Sequence, residues 1–317
     1  MTILLTGCAG FIGSNLLDKL LSMGHTVIGV DDFNDYYSPS QKRKNIAHNL
    51  DNKNFTLVEK DICDLSPSDL PLSLIPYPLS LIHLAARAGV RASINQPLLY
   101  EKVNVGGTLH LLELAKKLRV KKFIFGSSSS VYGNNTPAPF REDSPCDKPI
   151  SPYAATKRAA ELVCYTYHQL YKIPVTILRF FTVYGPRNRP DMAMYKFMDA
   201  IQTGKPMETY GKETKRDYTY IDDIVGGIAN CLELKNEFEI INLGNSAPIG
   251  LNDLIKQMEQ TIGKQANIKK LPLPAGDVQI TFADISKAKK LLNWIPKTDI
   301  SRGLSSLFKW YKSQDET

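Results

Sequence analysis

The segment Ser151-Pro152-Tyr153-Ala154-Ala155-Thr156-Lys157 carries a phenol and an amine four residues apart. On a predicted helix that spacing puts both side chains on one face. A free phenol, with a pKa of ~10, is a poor base at neutral pH. A neighbouring ammonium stabilises the phenolate, which makes Tyr153 a credible proton acceptor. Upstream, Gly126-Ser127-Ser128-Ser129-Ser130-Val131-Tyr132-Gly133 gathers hydroxyls at the expected end of a strand. Tyr and Lys at this spacing also occur by chance in ordinary helices, so the pair gains meaning only from what surrounds it.

Short apolar runs predict the strands that must position these groups: Thr2 to Thr6, Thr26 to Val30, Phe55 to Val58, Leu79 to Leu84, Lys122 to Ser127 and Val175 to Phe181. Longer amphipathic stretches separate most of them, as in Tyr100 to Leu118 and Tyr153 to Tyr171. The alternation predicts βαβ units, hence an α/β fold with a Rossmann-type doubly wound parallel sheet covered by helices on both faces. After about Thr182 it weakens, and Gly185-Pro186, Arg189-Pro190, Lys205-Pro206, Pro272 and Pro274 punctuate the chain. Residues 1–182 are therefore expected to form the sheet domain, with a return strand near 239–244. Residues 183–238 and 245–317 are expected to form a smaller, discontinuous mixed α/β region.

The first strand runs into Thr6-Gly7-Cys8-Ala9-Gly10-Phe11-Ile12-Gly13, with glycines spaced GxxGxxG where a helical pattern begins. Small residues let the backbone approach a pyrophosphate, and a helix N-terminus offers it unpaired N–H groups. The second strand ends in Val30-Asp31-Asp32. A carboxylate there accepts from both ribose hydroxyls and repels a 2′-phosphate, which favours NAD over NADP. A tight turn and a turn-starting Asp31 are the plainer readings of these two features. Asp61-Ile62 and His83-Leu84-Ala85-Ala86 follow later strands, at the ends where an open α/β sheet holds its ligand.

Net charge narrows the partners. The chain has 39 Lys plus Arg against 32 Asp plus Glu, and the basic residues are scattered. That suits anionic small molecules and argues against nucleic acid. Five widely spaced cysteines without CxxC suggest neither a disulfide framework nor a zinc site. His25, His48, His83, His110 and His168 show no ligand spacing, so no metal is expected. With no apolar run of ~18 residues and no leader pattern, a cytoplasmic protein is expected.

The glycine motif, strand-end acid, serine cluster and YxxxK, in this order, closely resemble the extended short-chain dehydrogenase/reductases, from Ile3 to about Trp310. The resemblance implies a catalytic trio. Ser128 would hold the reacting oxygen, Tyr153 would exchange its proton, and Lys157 would tune Tyr153 and hold the nicotinamide ribose. It also implies NAD contacts from Gly7, Gly10, Phe11, Ile12, Gly13, Asp31, Asp32, Asp61, Ile62, Leu84, Ala85, Ala86, Asn104 and Phe180, beside Tyr153 and Lys157.

Within that family, sugar-nucleotide dehydratases carry Asp-Glu where Ser129 and Ser130 stand here, and UDP-glucuronate decarboxylases usually carry Glu at the second position. Driving off a C6 hydroxyl needs an acid, so two serines favour an epimerase. Residues Asp31 to Tyr37, Ala85 to Arg91 and Gly185 to Met192 are similar to those of UDP-glucuronate 4-epimerases. The resemblance implies conversion of UDP-glucuronate to UDP-galacturonate through a 4-keto intermediate. UDP-glucose or UDP-N-acetylglucosamine epimerisation, a decarboxylase or dehydratase, a net redox enzyme and a non-catalytic NAD binder are the alternatives. By the same resemblance Arg189, with Thr182, Ser129 and Ser130, would grip the sugar carboxylate, a planar anion suited to a guanidinium. Arg87, Tyr210, Arg216 and Asp277 would complete the substrate contacts, although Pro274 stands where many relatives have Arg or Gln. A homodimer through the helix after Tyr153 and the one containing Leu109 to Leu118 is also implied.

Overall fold

Strands covered on both faces must be apolar on both faces. β1 (Thr2–Thr6), β4 (Leu79–His83) and β5 (Lys122–Ser128) are accordingly buried at every residue. The computed structural model describes residues 1–71, 78–210, 214–272 and 280–315. Among these, β2 (Thr26–Asp31), β3 (Phe55–Glu59), β6 (Val175–Phe180) and β10 (Phe238–Leu243) join the first three in one parallel sheet, ordered β10-β6-β5-β4-β1-β2-β3. Between them in the chain come β7 (Thr182–Tyr184), β8 (Pro206–Tyr210) and β9 (Lys215–Tyr220). β11 (Pro248–Gly250) lies antiparallel to β9, which pairs in parallel with β7, and β12 (Asn267–Leu271) pairs in parallel with β8. The doubly wound parallel sheet is the one that the alternation of apolar runs predicts.

Side chains alternate between two hydrophobic layers. Ile3 and Leu5 face a cluster that takes in Leu16, Leu17 and Leu20 of the Phe11–Ser22 helix and Ile224 and Ile228 of the Ile221–Asn230 helix. Leu4 faces the other cluster, with Leu111 and Leu114 from the Gly107–Lys117 helix and Cys164 from the Pro152–Tyr171 helix. β10 pairs with β6 from Phe238 opposite Val175 to Leu243 opposite Phe180. The chain therefore returns to the main sheet after the smaller sheet has begun.

β1 lies between β2 and β4, so successive strands diverge to either side of it. Such a switch point opens a crevice at the strand C-termini. Thr6, Asp31, His83, Ser128 and Phe180 are the last residues of their strands, and all five belong to this edge.

Candidate functional site

At the first of these strand ends, Gly7 has φ +73° and donates its N–H to Val30 O at 2.7 Å. A Cβ on Gly13 would stand 1.9 Å from Gly7 O, and one on Gly7 would stand 2.7 Å from Ala85 N. Only glycine fits either place. The Phe11–Ser22 helix starts at Gly10 with no side-chain cap and no acidic residue in its first turn. Its N-terminal N–H groups are thus left for an anion. Asp31 accepts from Ala9 N and Phe33 N, each at 3.0 Å, which ties the glycine turn to the end of β2. Burial raises the Asp31 pKa, against the lowering effect of these two hydrogen bonds.

The helix bearing Tyr153 and Lys157 runs over Pro152–Tyr171, where the sequence predicts it. Ser151 Oγ accepts from Ala154 N at 3.1 Å and Pro152 occupies the first turn, both favourable at a helix start. Lys157 is buried, donates from Nζ to Gly126 O at 2.7 Å and lies 4.9 Å from the Phe125 ring centroid. Desolvation holds its pKa down at about 8. Burial raises that of Tyr153, while a hydrogen bond with Ser128 and the charge of Arg189 pull it back. The sequence assigns the tuning of the phenol to Lys157. In the structure Ser128 and Arg189 are the groups that favour the phenolate.

Ser128 and Ser130 share a hydrogen bond between hydroxyls at 3.1 Å, and Ser130 N donates to Ser128 Oγ at 3.2 Å. Arg189 comes from the loop after β7, where Gly185 has φ +142° and Arg187 has φ +66°. A non-glycine residue in left-handed conformation is strained, and such strain gathers at functional sites. Arg189 Nε and Nη2 donate to the two oxygens of Asp191 at 2.8 and 2.9 Å. Asp191 also accepts from Tyr36 OH at 3.2 Å. The Tyr100 hydroxyl donates to Ala88 O, and its ring meets the Tyr153 ring edge-on, 6.3 Å between centroids.

Several of these groups border one cavity of about 340 Å³, within the range of small-molecule sites. It brings together Gly7, Gly10, Phe11, Ile12, Gly13, Asp31, Asp32, Asp61, Ile62, Leu84, Ala85, Ala86 and Phe180 with Ser128, Tyr153 and Lys157. Arg87, Ser129, Ser130, Thr182 and Arg189 border it as well. Asn104 does not. Its amide turns inward from a wide π-type turn, Lys102–Gly106, to bond both Arg87 N (2.8 Å) and Arg87 O (3.0 Å), and also Thr156 Oγ1 (3.1 Å). Asn104 supports the Arg87 backbone instead of facing the crevice. Tyr210 and Arg216 also lie outside the cavity lining. The Tyr210 ring carries the Arg91 guanidinium at 4.2 Å. Asp277 and Pro274 lie outside the described residues.

Reasoning from sequence did not single out Lys42, Tyr36 or Asp191. Lys42 is buried and donates to Asn34 O at 2.7 Å and Asn34 Oδ1 at 3.1 Å. Tyr36 and Asp191 sit inside segments already noted, Asp31 to Tyr37 and Gly185 to Met192, and their polarity beside Arg189 was the available signal. Among the described residues no cluster of His, Cys, Asp or Glu could hold a metal ion.

Residues 4–307 match the family described as GDP-mannose 4,6 dehydratase. The chain is 46% identical, over 316 residues, to the UDP-glucuronate 4-epimerase of Thermodesulfobacterium geofontis, covering 99% of this chain and 97% of that one. Among solved structures it is similar to UDP-glucuronic acid 4-epimerase from Bacillus cereus in complex with UDP-glucuronic acid and NAD. That match has a TM-score of 0.92 and 38% identity, and covers 99% of this chain and all of the other. The UDP-glucose 4-epimerase of Thermotoga maritima follows at TM-score 0.89 and 33% identity, covering 99% of each chain.

Proposed function

This chain belongs to the nucleotide-sugar epimerase and dehydratase family of the extended short-chain dehydrogenase/reductases, and from that premise we propose that it is an NAD-dependent UDP-glucuronate 4-epimerase forming UDP-galacturonate. One observation carries the choice of substrate: the Arg189 guanidinium borders the same cavity as Tyr153 and is close enough to lower its pKa. Ser129 and Ser130, where dehydratases have acids, support an epimerase.

The residues present fit a dinucleotide. Gly7, Gly10 and Gly13 leave a cradle that a Cβ would fill, and the adjoining helix N-terminus would hold the diphosphate. Asp31 and Asp32 would hold the adenosine ribose; each Asp31 oxygen accepts one backbone N–H and keeps a second lone pair. NAD, when bound, supplies reversible oxidation at the sugar C4 and a positive ring beside the phenol.

The chain's own groups then have distinct tasks. Ser128 holds O4. Tyr153 removes the C4 hydroxyl proton at its phenol oxygen and returns it from the same atom after the ketone has presented its other face. Lys157 holds the nicotinamide ribose and adds a positive charge to the cavity that Tyr153 lines. Arg189, with Ser129, Ser130 and Thr182, binds the C5 carboxylate. A 4-ketone beside that carboxylate is a β-keto acid, prone to lose carbon dioxide, and fixing the carboxylate opposes that loss.

In this reading residues 1–182 with β10 bind the dinucleotide, and residues 183–238 and 245–317 bind the nucleotide sugar, with Arg216 and Asp277 on the diphosphate and ribose and Tyr210 beside the base. Two copies pair through the Pro152–Tyr171 and Gly107–Lys117 helices, on which Leu109, Leu162 and Leu170 are exposed. No helix among the described residues is long and apolar enough to cross a membrane, and the place of work in this proposal is the cytoplasm. The test is to incubate purified protein with UDP-glucuronate, UDP-glucose and UDP-N-acetylglucosamine separately, without added cofactor. Proton NMR should show the C4 epimer of the uronate alone. Equal conversion of all three, or of none, rejects the proposal.

A further inference from the structure

We infer that Asp191 is a positioning residue that turns Arg189 into a fixed carboxylate receptor and so sets the preference for a uronate over a neutral sugar. The inference rests on the epimerase reading above. A guanidinium has five N–H groups in a planar fork. Asp191 takes the edge formed by Nε and Nη2, at 2.8 and 2.9 Å. Nη1 and the second hydrogen of Nη2 form the other edge, which remains for a second carboxylate. Arg189 can therefore keep its internal partner and bind an external one at the same time.

The internal partner is itself held. Tyr36 OH donates to Asp191 Oδ2 at 3.2 Å, and the Tyr36 and Tyr100 hydroxyls both lie against Gly89. Tyr100 in turn is anchored on Ala88 O and is fully buried. Gly89, at φ +96°, leaves the space this cluster needs, since a Cβ there would lie 2.5 Å from Tyr36 OH. The loop after β2, the segment after β4 and the loop after β7 thus converge on one carboxylate. A long side chain with several rotatable bonds is costly to order on binding, and ordering it beforehand favours the ligand that uses it. Only a sugar with a carboxylate uses the second edge.

The experiment compares binding of UDP-glucuronate and UDP-glucose to the NAD-loaded protein by calorimetry, for wild type, Asp191→Asn, Tyr36→Phe, Arg189→Ala and the Arg189→Ala/Asp191→Asn double variant. Asn places an NH2 group against a donor of Arg189, so the ratio of the two dissociation constants should move against the uronate about tenfold. Tyr36→Phe should move it the same way by about threefold. The double variant should match Arg189→Ala alone, because the Asp191 effect passes through Arg189. Equal weakening of both ligands, tighter uronate binding by Asp191→Asn, or an additive double variant would each overturn the inference. If Asp191→Asn does not fold, the ratio for Tyr36→Phe decides by the same criterion. Wild-type protein that fails to epimerise UDP-glucuronate removes the functional reading and this inference together. Wild type that converts it while the variants leave the ratio unmoved removes the inference alone.

Discussion

Glu161 of the Pro152–Tyr171 helix and Arg179 of β6 form a two-pronged ion pair shut off from solvent. Arg179 Nε donates to Oε1 at 2.9 Å and Nη2 to Oε2 at 2.8 Å, and the side chains are 1% and 0% exposed for Arg179 and Glu161. Ser127 Oγ donates to the same carboxylate at 2.6 Å and Arg158 Nη1 at 2.9 Å. The helix bearing Tyr153 and Lys157 is thereby fastened to the strand that ends in Ser128. Burial alone would raise the Glu161 pKa, but the hydrogen bonds and charge of Arg179 hold it below the ordinary value.

Removing one partner leaves the other charge buried and uncompensated. Glu161→Ala should therefore cost about 3–5 kcal/mol of stability, read as a lower denaturant midpoint. The Glu161→Met/Arg179→Met pair, which removes both charges, should recover most of that loss. A double variant as unstable as the single one would show that the pair matters for more than charge compensation.

Tyr153→Phe keeps the ring and removes the oxygen that, in the proposed mechanism, would exchange the C4 proton. Turnover of UDP-glucuronate should fall by about 10²–10⁴, with its dissociation constant changed only a few-fold. The Tyr100 edge contact would still orient the ring. Single-turnover kinetics with NAD-loaded protein separate the two quantities. A variant that turns over within tenfold of wild type contradicts the proton-transfer role.

The strands were legible because β1, β4 and β5 are apolar on both faces, and a run such as Thr2 to Thr6 has few other uses. The crevice was legible because strand-end residues, the glycine turn and the Tyr153–Lys157 spacing are local patterns with one geometric outcome. The Arg189–Asp191 pair was not. Two residues apart, the charges could turn toward or away from each other, and only the folded loop, with Gly185 and Arg187 at positive φ, shows them paired. The inward turn of Asn104 likewise depends on the wide turn at Lys102–Gly106, which leaves no mark in side-chain periodicity. Tyr36, Tyr100 and Asp191 meet only through tertiary packing.

Lys157 carries a stability cost with a defined pH window. Its folded pKa is about 8, against ~10.4 for a free lysine. Below the folded value the amine is charged in both states, so the whole cost of burying an ammonium is present. Between the two values the folded state binds fewer protons, and stability rises with pH until the cost is gone. Lys157→Met should thus stabilise the ligand-free protein at pH 7 by about 1–3 kcal/mol, after allowing for the lost bond to Gly126 O. The gain should vanish near pH ~10.5, the free-lysine range. Urea denaturation at the two pH values measures it, and turnover at pH 7 should fall. A gain independent of pH would show that packing, not charge burial, is responsible.

Two glycines separate space from conformation. At Gly13 an added Cβ would meet Gly7 O at 1.9 Å and Gly7 C at 2.8 Å. Both are backbone atoms of the turn that would hold the diphosphate, so the clash is relieved only by moving that turn. Gly13→Ala should cost about 1–3 kcal/mol and release NAD, seen as loss of nucleotide absorbance after gel filtration. At Gly106, in the turn carrying Asn104, an added Cβ meets nothing within 4 Å. Gly106→Ala should leave bound NAD unchanged and stability level or higher by up to about 1 kcal/mol. The contrast tests the cradle directly, since both changes add one methyl group to a glycine within a helical segment. Retention of NAD by Gly13→Ala at the wild-type level would mean that the glycine turn does not hold the dinucleotide.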